Sequence, residues 1–177
     1  NMRLFKRYAN DFTDTPTHRK LFEEFVHNLM AKQVEGIIYV GYHSRGISYS
    51  PGMMNVKIPF VYTYCFPKDR EYPVVLSDNE LAGEEVIRHL CSLGHRKIGV
   101  ISGPMVSENA QSRLRGVQKA LYGARILYDA RLAVYGDWSK QSGYAYADRL
   151  LDMGVSAIFA FNDQMAAGVK CEYCAHT

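Results

Sequence analysis

The chain has 177 residues, 47% of them hydrophobic and 22% charged, which is an ordinary composition for a globular protein with its own core. Its formal net charge of +3 comes from basic residues spread along the chain, without the concentrated basic stripe that marks a DNA-contacting surface. No apolar run approaches the roughly 18 residues needed to span a bilayer, and the first residues lack the apolar core of a secretory signal. We therefore expect a cytoplasmic protein that has no membrane partner and does not bind DNA through this chain alone.

Apolar strands and amphipathic helices alternate from the start of the chain. Pro16 is typical of the first position of a helix, and the apolar residues that follow it recur at three- and four-residue spacing. The elements predicted up to residue 77 are a strand over 2–8, a helix over 15–32, strands over 36–40, 59–64 and 73–76, a loop over 41–57 with room for one helical turn, and a polar turn over 66–71.

The same alternation continues through the second half of the sequence. Asp78 or Asn79 can cap the next helix, and Gly83 inside that helix indicates a close packing contact. Gly94 can end the helix in the left-handed conformation that glycine adopts without steric cost. The elements predicted after it are strands over 98–101, 132–135 and 157–161, and helices over 107–122, 140–153 and from 162 onward.

The repeated strand–helix unit predicts an α/β fold. Units of this length form parallel sheets through right-handed crossovers, and two runs of them predict two Rossmann-like lobes. We place the first lobe at 1–77, a crossover helix and hinge at 78–97, and the second lobe at 98–177. Both lobes are expected to be incomplete, because the first lacks an opening strand–helix unit and the second stops within a helix.

The sequence signatures of common enzymes and cofactor sites are absent. There is no GxSxG elbow, phosphate-binding P-loop or HExxH, and residues 41–46 lack the GxGxxG of a dinucleotide site. Cys171 and Cys174 form a CxxC whose spacing places both thiols on one buried face of a helix, and no second CxxC or paired histidines complete a metal shell. We therefore expect no catalysis, no cofactor and no bound metal.

Five groups of motifs follow one another over residues 15–170. They are Val34-Glu35-Gly36-Ile37-Ile38; Asp78-Asn79 with Gly83, His89-Leu90 and 93–98; Ser102-Gly103-Pro104 with Arg113, Gly116 and Ala120-Leu121; 136–139 with Gly143-Tyr144; and 157–160 with 162–168. In this order they resemble the lactose/galactose repressor (LacI/GalR) family of transcription regulators.

The resemblance implies a periplasmic-binding-protein-like fold of two lobes that binds a small effector in the cleft between them. It also implies a homodimer whose affinity for operator DNA responds to the effector through a helix-turn-helix headpiece. We expect no headpiece within this chain, because nothing before residue 15 has helix-turn-helix spacing. The expected function is the effector-sensing and dimerisation core of a transcription regulator. Two other classes with this fold stay open: a secreted sugar-binding protein of a transport system, and a sugar-processing enzyme.

The resemblance also suggests which residues hold the effector, beginning with Arg113 and Trp138. Arg113 lies about two turns into its helix, and a guanidinium offers five donors in a rigid plane. The alternative for Arg113 is a surface salt bridge. Trp138 is the only tryptophan, and its ring can stack on the apolar face of a sugar or a base. The alternative for Trp138 is a place in the core of a lobe.

Four further residues complete the expected site. The resemblance suggests that Asn162 faces the ligand while Asp163 caps the last helix, and both residues could instead serve the structure alone. Tyr64 ends a predicted strand and Tyr42 follows another, so both could line the rim. A tryptophan platform, a forked arginine and an amide suit a neutral polyhydroxylated ring. A sugar is therefore the first choice of effector, and a purine or nucleoside is the second.

Overall fold

The computed structural model describes residues 15–41, 46–69 and 71–175 of the chain, with side chains as far as Glu172. The strand predicted over 2–8 and the candidate Tyr42 lie outside these residues. The chain divides into two compact units, with the boundary between Ser77 and Asp78. Among the described residues, no helix combines the length and the apolar character needed to cross a membrane.

The described residues of the first unit form one helix, one 3₁₀ turn and five short strands. They are α1 (Pro16–Ala31), β1 (Ile37–Val40), β2 (Gly46–Ile47), the 3₁₀ turn Pro51–Met54, β3 (Phe60–Thr63), β4 (Phe66–Pro67) and β5 (Val74–Val75). The strands form a parallel sheet in the order β1-β3-β5 and a separate parallel pair, β2-β4. The helix predicted over 15–32 and the strands predicted over 36–40, 59–64 and 73–76 are confirmed.

The β2-β4 pair corrects two predictions for the first unit. Residues 41–57 were expected to form a loop and 66–71 a polar turn, whereas Gly46 pairs with Phe66 and Ile47 with Pro67. Strands of two residues are too short to show the alternation of apolar and polar residues that indicates a strand. The pairing therefore has no signal in the local sequence.

Aromatic side chains hold α1 against one face of the first sheet. Thr15 begins the helix because its hydroxyl accepts a hydrogen bond from the His18 backbone N–H at 3.3 Å. Phe22 is buried, and its ring centroid lies 4.9 Å from that of Tyr49 and 5.3 Å from that of Tyr39. Such edge and tilted ring contacts add to the free energy that burial of the apolar surface supplies.

The second unit repeats the strand–helix alternation without irregular strands. Its elements are α2 (Asn79–Ser92), β6 (Ile98–Ser102), α3 (Glu108–Gly123), the 3₁₀ turn Ala130–Leu132, β7 (Ala133–Tyr135), α4 (Lys140–Asp152), β8 (Ala157–Ala160) and α5 (Asp163–Ala175). Every helix and strand predicted here is confirmed to within about two residues, and Gly94 has the expected left-handed φ of +93°. The prediction of an α/β fold with parallel sheets is thus confirmed.

The strand order of the second sheet places helices on both of its faces. The order is β7-β6-β8 and all pairs are parallel. The chain passes from β6 outward to β7 and then back across β6 to β8. Right-handed crossovers therefore put α3 on one face and α4 on the other. Each is joined there by one neighbour, because α2 packs on α3 and α5 packs on α4.

Reciprocal glycines bring α2 and α3 into backbone contact. A Cβ placed on Gly83 of α2 would lie 2.1 Å from the Arg113 carbonyl oxygen, and one on Gly116 of α3 would lie 1.9 Å from the Glu80 carbonyl oxygen. No side chain fits either position without moving a helix. The close contact predicted for Gly83 is confirmed.

The helices on the opposite face, α4 and α5, are also brought into backbone contact by reciprocal glycines. A Cβ on Gly143 of α4 would lie 2.1 Å from the Met165 carbonyl oxygen, and one on Gly168 of α5 would lie 2.1 Å from the Lys140 carbonyl oxygen. Both helix pairs that enclose the second sheet are therefore fixed by contacts that only glycine allows.

Candidate ligand-binding site

The carboxyl edge of the second sheet has the topology of a ligand site. The segments after β6 and β8 leave these adjacent strands toward opposite faces, because they lead to α3 and to α5. In open parallel sheets, ligands bind in the crevice that forms where the direction of connection reverses in this way. Three of the predicted site residues, Arg113, Trp138 and Asn162, have contacts at this edge.

Arg113 reaches this edge from α3. Its guanidinium donates hydrogen bonds to the Phe161 carbonyl oxygen, just after β8, and to Asn79 Oδ1 at 2.5 Å. Its Cζ atom also lies 5.3 Å from the centroid of the Phe161 ring. The buried Asn79 side chain in turn donates to Asn109 Oδ1 at 2.9 Å. Arg113 is therefore half-buried and tied to both α2 and the end of β8.

Trp138 contacts the segments that follow all three strands. It lies in the segment after β7, and a Cβ placed on Gly103, after β6, would fall 2.0 Å from Trp138 Cζ2. Its carbonyl oxygen accepts a hydrogen bond at 2.9 Å from Asn162 Nδ2, after β8. The side chain packs on the core and is half-buried, so the ring is partly exposed at the edge.

Asn162, and not Asp163, caps the last helix. Asn162 Oδ1 accepts a hydrogen bond from the Met165 backbone N–H at 2.8 Å, while Asp163 is the exposed first residue of α5. The expectation that Asp163 caps the helix is wrong. The cap is the last residue before the helical conformation begins, and α5 begins at Asp163, one residue earlier than that expectation requires.

Asp137 stabilises the turn that presents Trp138. Its carboxylate accepts a hydrogen bond from the Ser139 backbone N–H at 2.9 Å. Hydrogen bonds from the Ser139 hydroxyl and backbone, and then from Ser142, hold the pKa of Asp137 at about 2, below its ordinary value of 3.8. The ionised carboxylate is therefore part of the folded turn at neutral pH.

This pKa predicts how the stability of the turn depends on pH. A depressed carboxyl pKa stabilises the fold above pH 3.8, and that contribution disappears as the pH falls toward about 2. Asp137→Asn is expected to lower the thermal midpoint at pH 7, and the difference from the wild type should shrink between pH 4 and about pH 2. Thermal unfolding of both proteins across this range measures it. A difference that does not change with pH would contradict the assignment.

Ser102 carries a buried hydroxyl at the end of β6. The side chain is 1% exposed, and its Oγ has no hydrogen-bond partner among the described residues. A buried hydroxyl without a partner costs free energy because it has lost its bonds to water. Ser102→Ala is therefore expected to raise the free energy of unfolding by up to about 1 kcal/mol, as measured by urea denaturation.

Ser107 provides a matched control for Ser102. It is also a buried serine, but its hydroxyl caps α3 by accepting a hydrogen bond from the Ala110 backbone N–H at 3.3 Å. Ser107→Ala should lower the free energy of unfolding by about 1 kcal/mol. If both substitutions destabilise the protein equally, Ser102 has a partner after all.

Two other residues singled out in the sequence, Tyr64 and Cys171, belong to other elements of the chain. Tyr64 follows β3 in the first unit, where it is 53% exposed and has a left-handed φ of +58°. Cys171 is exposed, so its expected place on a buried helix face is wrong. Within the part of the chain that the structure describes, no three His, Cys, Asp or Glu side chains are grouped so that they could hold a metal ion.

Two features of the edge are absent from the sequence-based site. The Trp138 ring packs directly on Gly103, and Asn79 and Asn109 form an amide pair beside Arg113. Gly103 belongs to a recognised motif, but the motif does not show what lies against it. The amide pair joins residues 30 positions apart, so only the packing of α2 on α3 brings it together.

Comparison with known proteins agrees with this description. The sequence model of the periplasmic binding protein domain matches residues 6–171. Catabolite control protein A of Streptococcus mutans is 28% identical over 145 residues, which are 81% of this chain and 43% of that protein. The chain thus spans less than half the length of this relative.

Solved structures show the same fold. One is the transcriptional regulator CelR in complex with cellobiose. Its sequence is 28% identical to this chain, the TM-score is 0.67, and the match covers 92% of this chain and 50% of CelR. A LacI family transcriptional regulator from Enterococcus faecium with bound ribose is 26% identical with a TM-score of 0.61, and the match covers 86% and 57%.

The two three-stranded parallel sheets and the helices packed on them define the class of periplasmic-binding-protein-like α/β folds. The chain belongs to the periplasmic binding protein domain family. Its relatives include LacI family regulators, so the resemblance found in the motifs is confirmed.

Proposed function

We propose that this chain is the effector-binding part of a LacI family transcription regulator and that its effector is a sugar or glycoside. The observation that carries the proposal is the half-buried Trp138 ring, seated on Gly103 at the edge of the sheet to which Arg113 also extends. A fixed aromatic platform beside a cation and amides provides both kinds of contact that a sugar ring needs.

The chemistry favours a neutral polyhydroxylated ring. The apolar face of such a ring stacks on an indole, while its hydroxyls need paired donors and acceptors. At this edge the half-buried side chains of Arg113 and Asn109 supply the polar groups, and the buried Asn79 amide joins the two. Two related regulators, one in complex with cellobiose and one with bound ribose, support the same class of ligand. Tyr64 and Tyr42 stay predicted contacts.

The regulatory role rests on the relatives. We propose that the whole protein is a cytoplasmic homodimer that binds operator DNA through a separate headpiece and performs no catalysis. An effector shifts such a protein toward the state that it binds more tightly. Operator affinity then changes, because half-site spacing on DNA is geometrically strict.

A thermal-shift screen tests the class of effector. Cellobiose, ribose, adenosine and cytidine are added separately to the whole protein. A ligand present at 100 times its Kd should raise the free energy of unfolding by about 2.7 kcal/mol. We expect stabilisation by a sugar and its loss in Trp138→Ala. Stabilisation by nucleosides alone would overturn the sugar assignment, and stabilisation by a sugar that survives Trp138→Ala would overturn the site.

A further inference from the structure

The side chain of Asn162 is engaged at both ends of its amide. Nδ2 donates to the Trp138 carbonyl oxygen at 2.9 Å, and Oδ1 accepts from the Met165 backbone N–H at 2.8 Å. These two partners require opposite properties, a donor on one side and an acceptor on the other. They therefore fix both the rotamer and the orientation of the amide. An amide held in this way is poorly placed to turn toward a ligand.

Trp138 needs to be held in place. Its φ of +72° lies in the left-handed region, which bulky residues rarely adopt and which persists only where the surroundings enforce it. The chain on either side is fixed, since Asp137 accepts from the Ser139 backbone and Ser139 caps α4 by accepting from the Ser142 N–H at 3.1 Å. The hydrogen bond from Asn162 is the contact that fixes the Trp138 carbonyl itself.

We infer that Asn162 is a positioning residue that sets the orientation of the Trp138 ring, and that it acts on the effector through this ring. The inference rests on the proposed function, in which Trp138 is the platform for the ligand. The amide links the end of β8 to the segment after β7, while the ring rests on Gly103 after β6. All three strands of the sheet thus contribute to the position of one ring.

The substitution Asn162→Asp removes one of the two hydrogen bonds of the amide and keeps the other. Aspartate keeps the acceptor that caps α5 but has no donor for the Trp138 carbonyl. Trp138 is the only tryptophan among these 177 residues, and the part of the intrinsic fluorescence that is lost in Trp138→Phe identifies the signal of its ring in the whole protein without ligand. We expect a red-shifted emission maximum and about twofold stronger quenching by acrylamide, with the cooperative unfolding transition retained.

Two further variants make the fluorescence result decisive. Asn162→Ser also caps a helix but is too short to keep the bond to Trp138, so it should reproduce the change without adding a charge. Asp163→Asn alters the exposed neighbour and should leave the emission unchanged. Unchanged emission and quenching in both Asn162 variants would overturn the inference, even if ligand binding were lost.

Titration with cellobiose then distinguishes positioning from direct contact. If the wild type binds cellobiose, both Asn162 variants should bind it at least fivefold more weakly and show the altered emission before any ligand is added. Weaker binding with wild-type emission would mean that Asn162 touches the ligand, and the inference would fall. If the wild type binds none of the screened sugars, the proposed function fails while the fluorescence experiment still decides the role of Asn162.

Discussion

Gly116→Ala is expected to lower the free energy of unfolding by about 3 kcal/mol or more, at or beyond the upper end of what overpacking usually costs. The added Cβ would lie 1.9 Å from the Glu80 carbonyl oxygen and 2.8 Å from the Glu84 backbone nitrogen. Both atoms belong to the backbone of α2, so no side-chain rotation can relieve the clash. The helices must separate, and the buried contacts between them weaken. Urea denaturation followed by circular dichroism measures the loss.

Gly123→Ala is the matched control on the same helix. Gly123 is the last residue of α3, and a Cβ placed on it meets nothing within 4 Å. Alanine has a higher helix propensity than glycine, so this variant should be as stable as the wild type or more stable by up to about 1 kcal/mol. If Gly116→Ala behaved like Gly123→Ala, the contact between α2 and α3 would be looser than the structure shows.

Much of the fold was predictable because its longer elements carry periodic signals. The apolar stripes of the helices and the apolar runs of β1, β3 and β6 are visible in the sequence, and capping residues mark several helix starts. The β2-β4 pair was not predictable, since two residues cannot show a period. Its existence depends on how the surrounding chain brings Gly46 beside Phe66.

The position of the candidate site was more predictable than its contacts. Ligands bind beyond the carboxyl ends of parallel strands, and this rule places Trp138 and Asn162 near one another from the order of strands and helices in the sequence. The hydrogen-bond partners of these side chains could not be predicted in the same way. A shift of one residue in the start of α5 decides whether Asn162 or Asp163 is the cap, and helix boundaries in sequence are uncertain by more than that.

The partners of Arg113 were unpredictable for a related reason. Asn79 and the Phe161 carbonyl lie 34 and 48 positions away, and only the close packing of α2 on α3 brings the first of them within reach. The sequence suggested a ligand contact or a surface ion pair for this arginine. The structure adds a third role, a cross-link inside the second unit.

Arg113→Ala is therefore expected to affect both stability and effector binding. The substitution leaves the Phe161 carbonyl and the buried Asn79 amide without their charged donor. Hydrogen bonds to charged groups contribute about 1.5–3 kcal/mol each, so the free energy of unfolding should fall by about 2–3 kcal/mol after partial relaxation. Arg115→Ala is the matched control, because Arg115 is an exposed residue of the same helix whose pairing with Glu80 at 3.5 Å contributes little.

Arg113→Lys separates the structural role from the ligand contact. The single ammonium of lysine can reach one of the two acceptors, so it should restore part of the lost stability. It cannot reproduce the planar guanidinium fork that would pair with neighbouring hydroxyls of the sugar. Calorimetric titration of each variant with cellobiose, at a temperature where all are folded, should show binding at least tenfold weaker in both Arg113 variants and unchanged in Arg115→Ala. Wild-type affinity in a destabilised Arg113→Ala would make this arginine a purely structural cross-link. The site would then depend on the Trp138 ring for its selectivity.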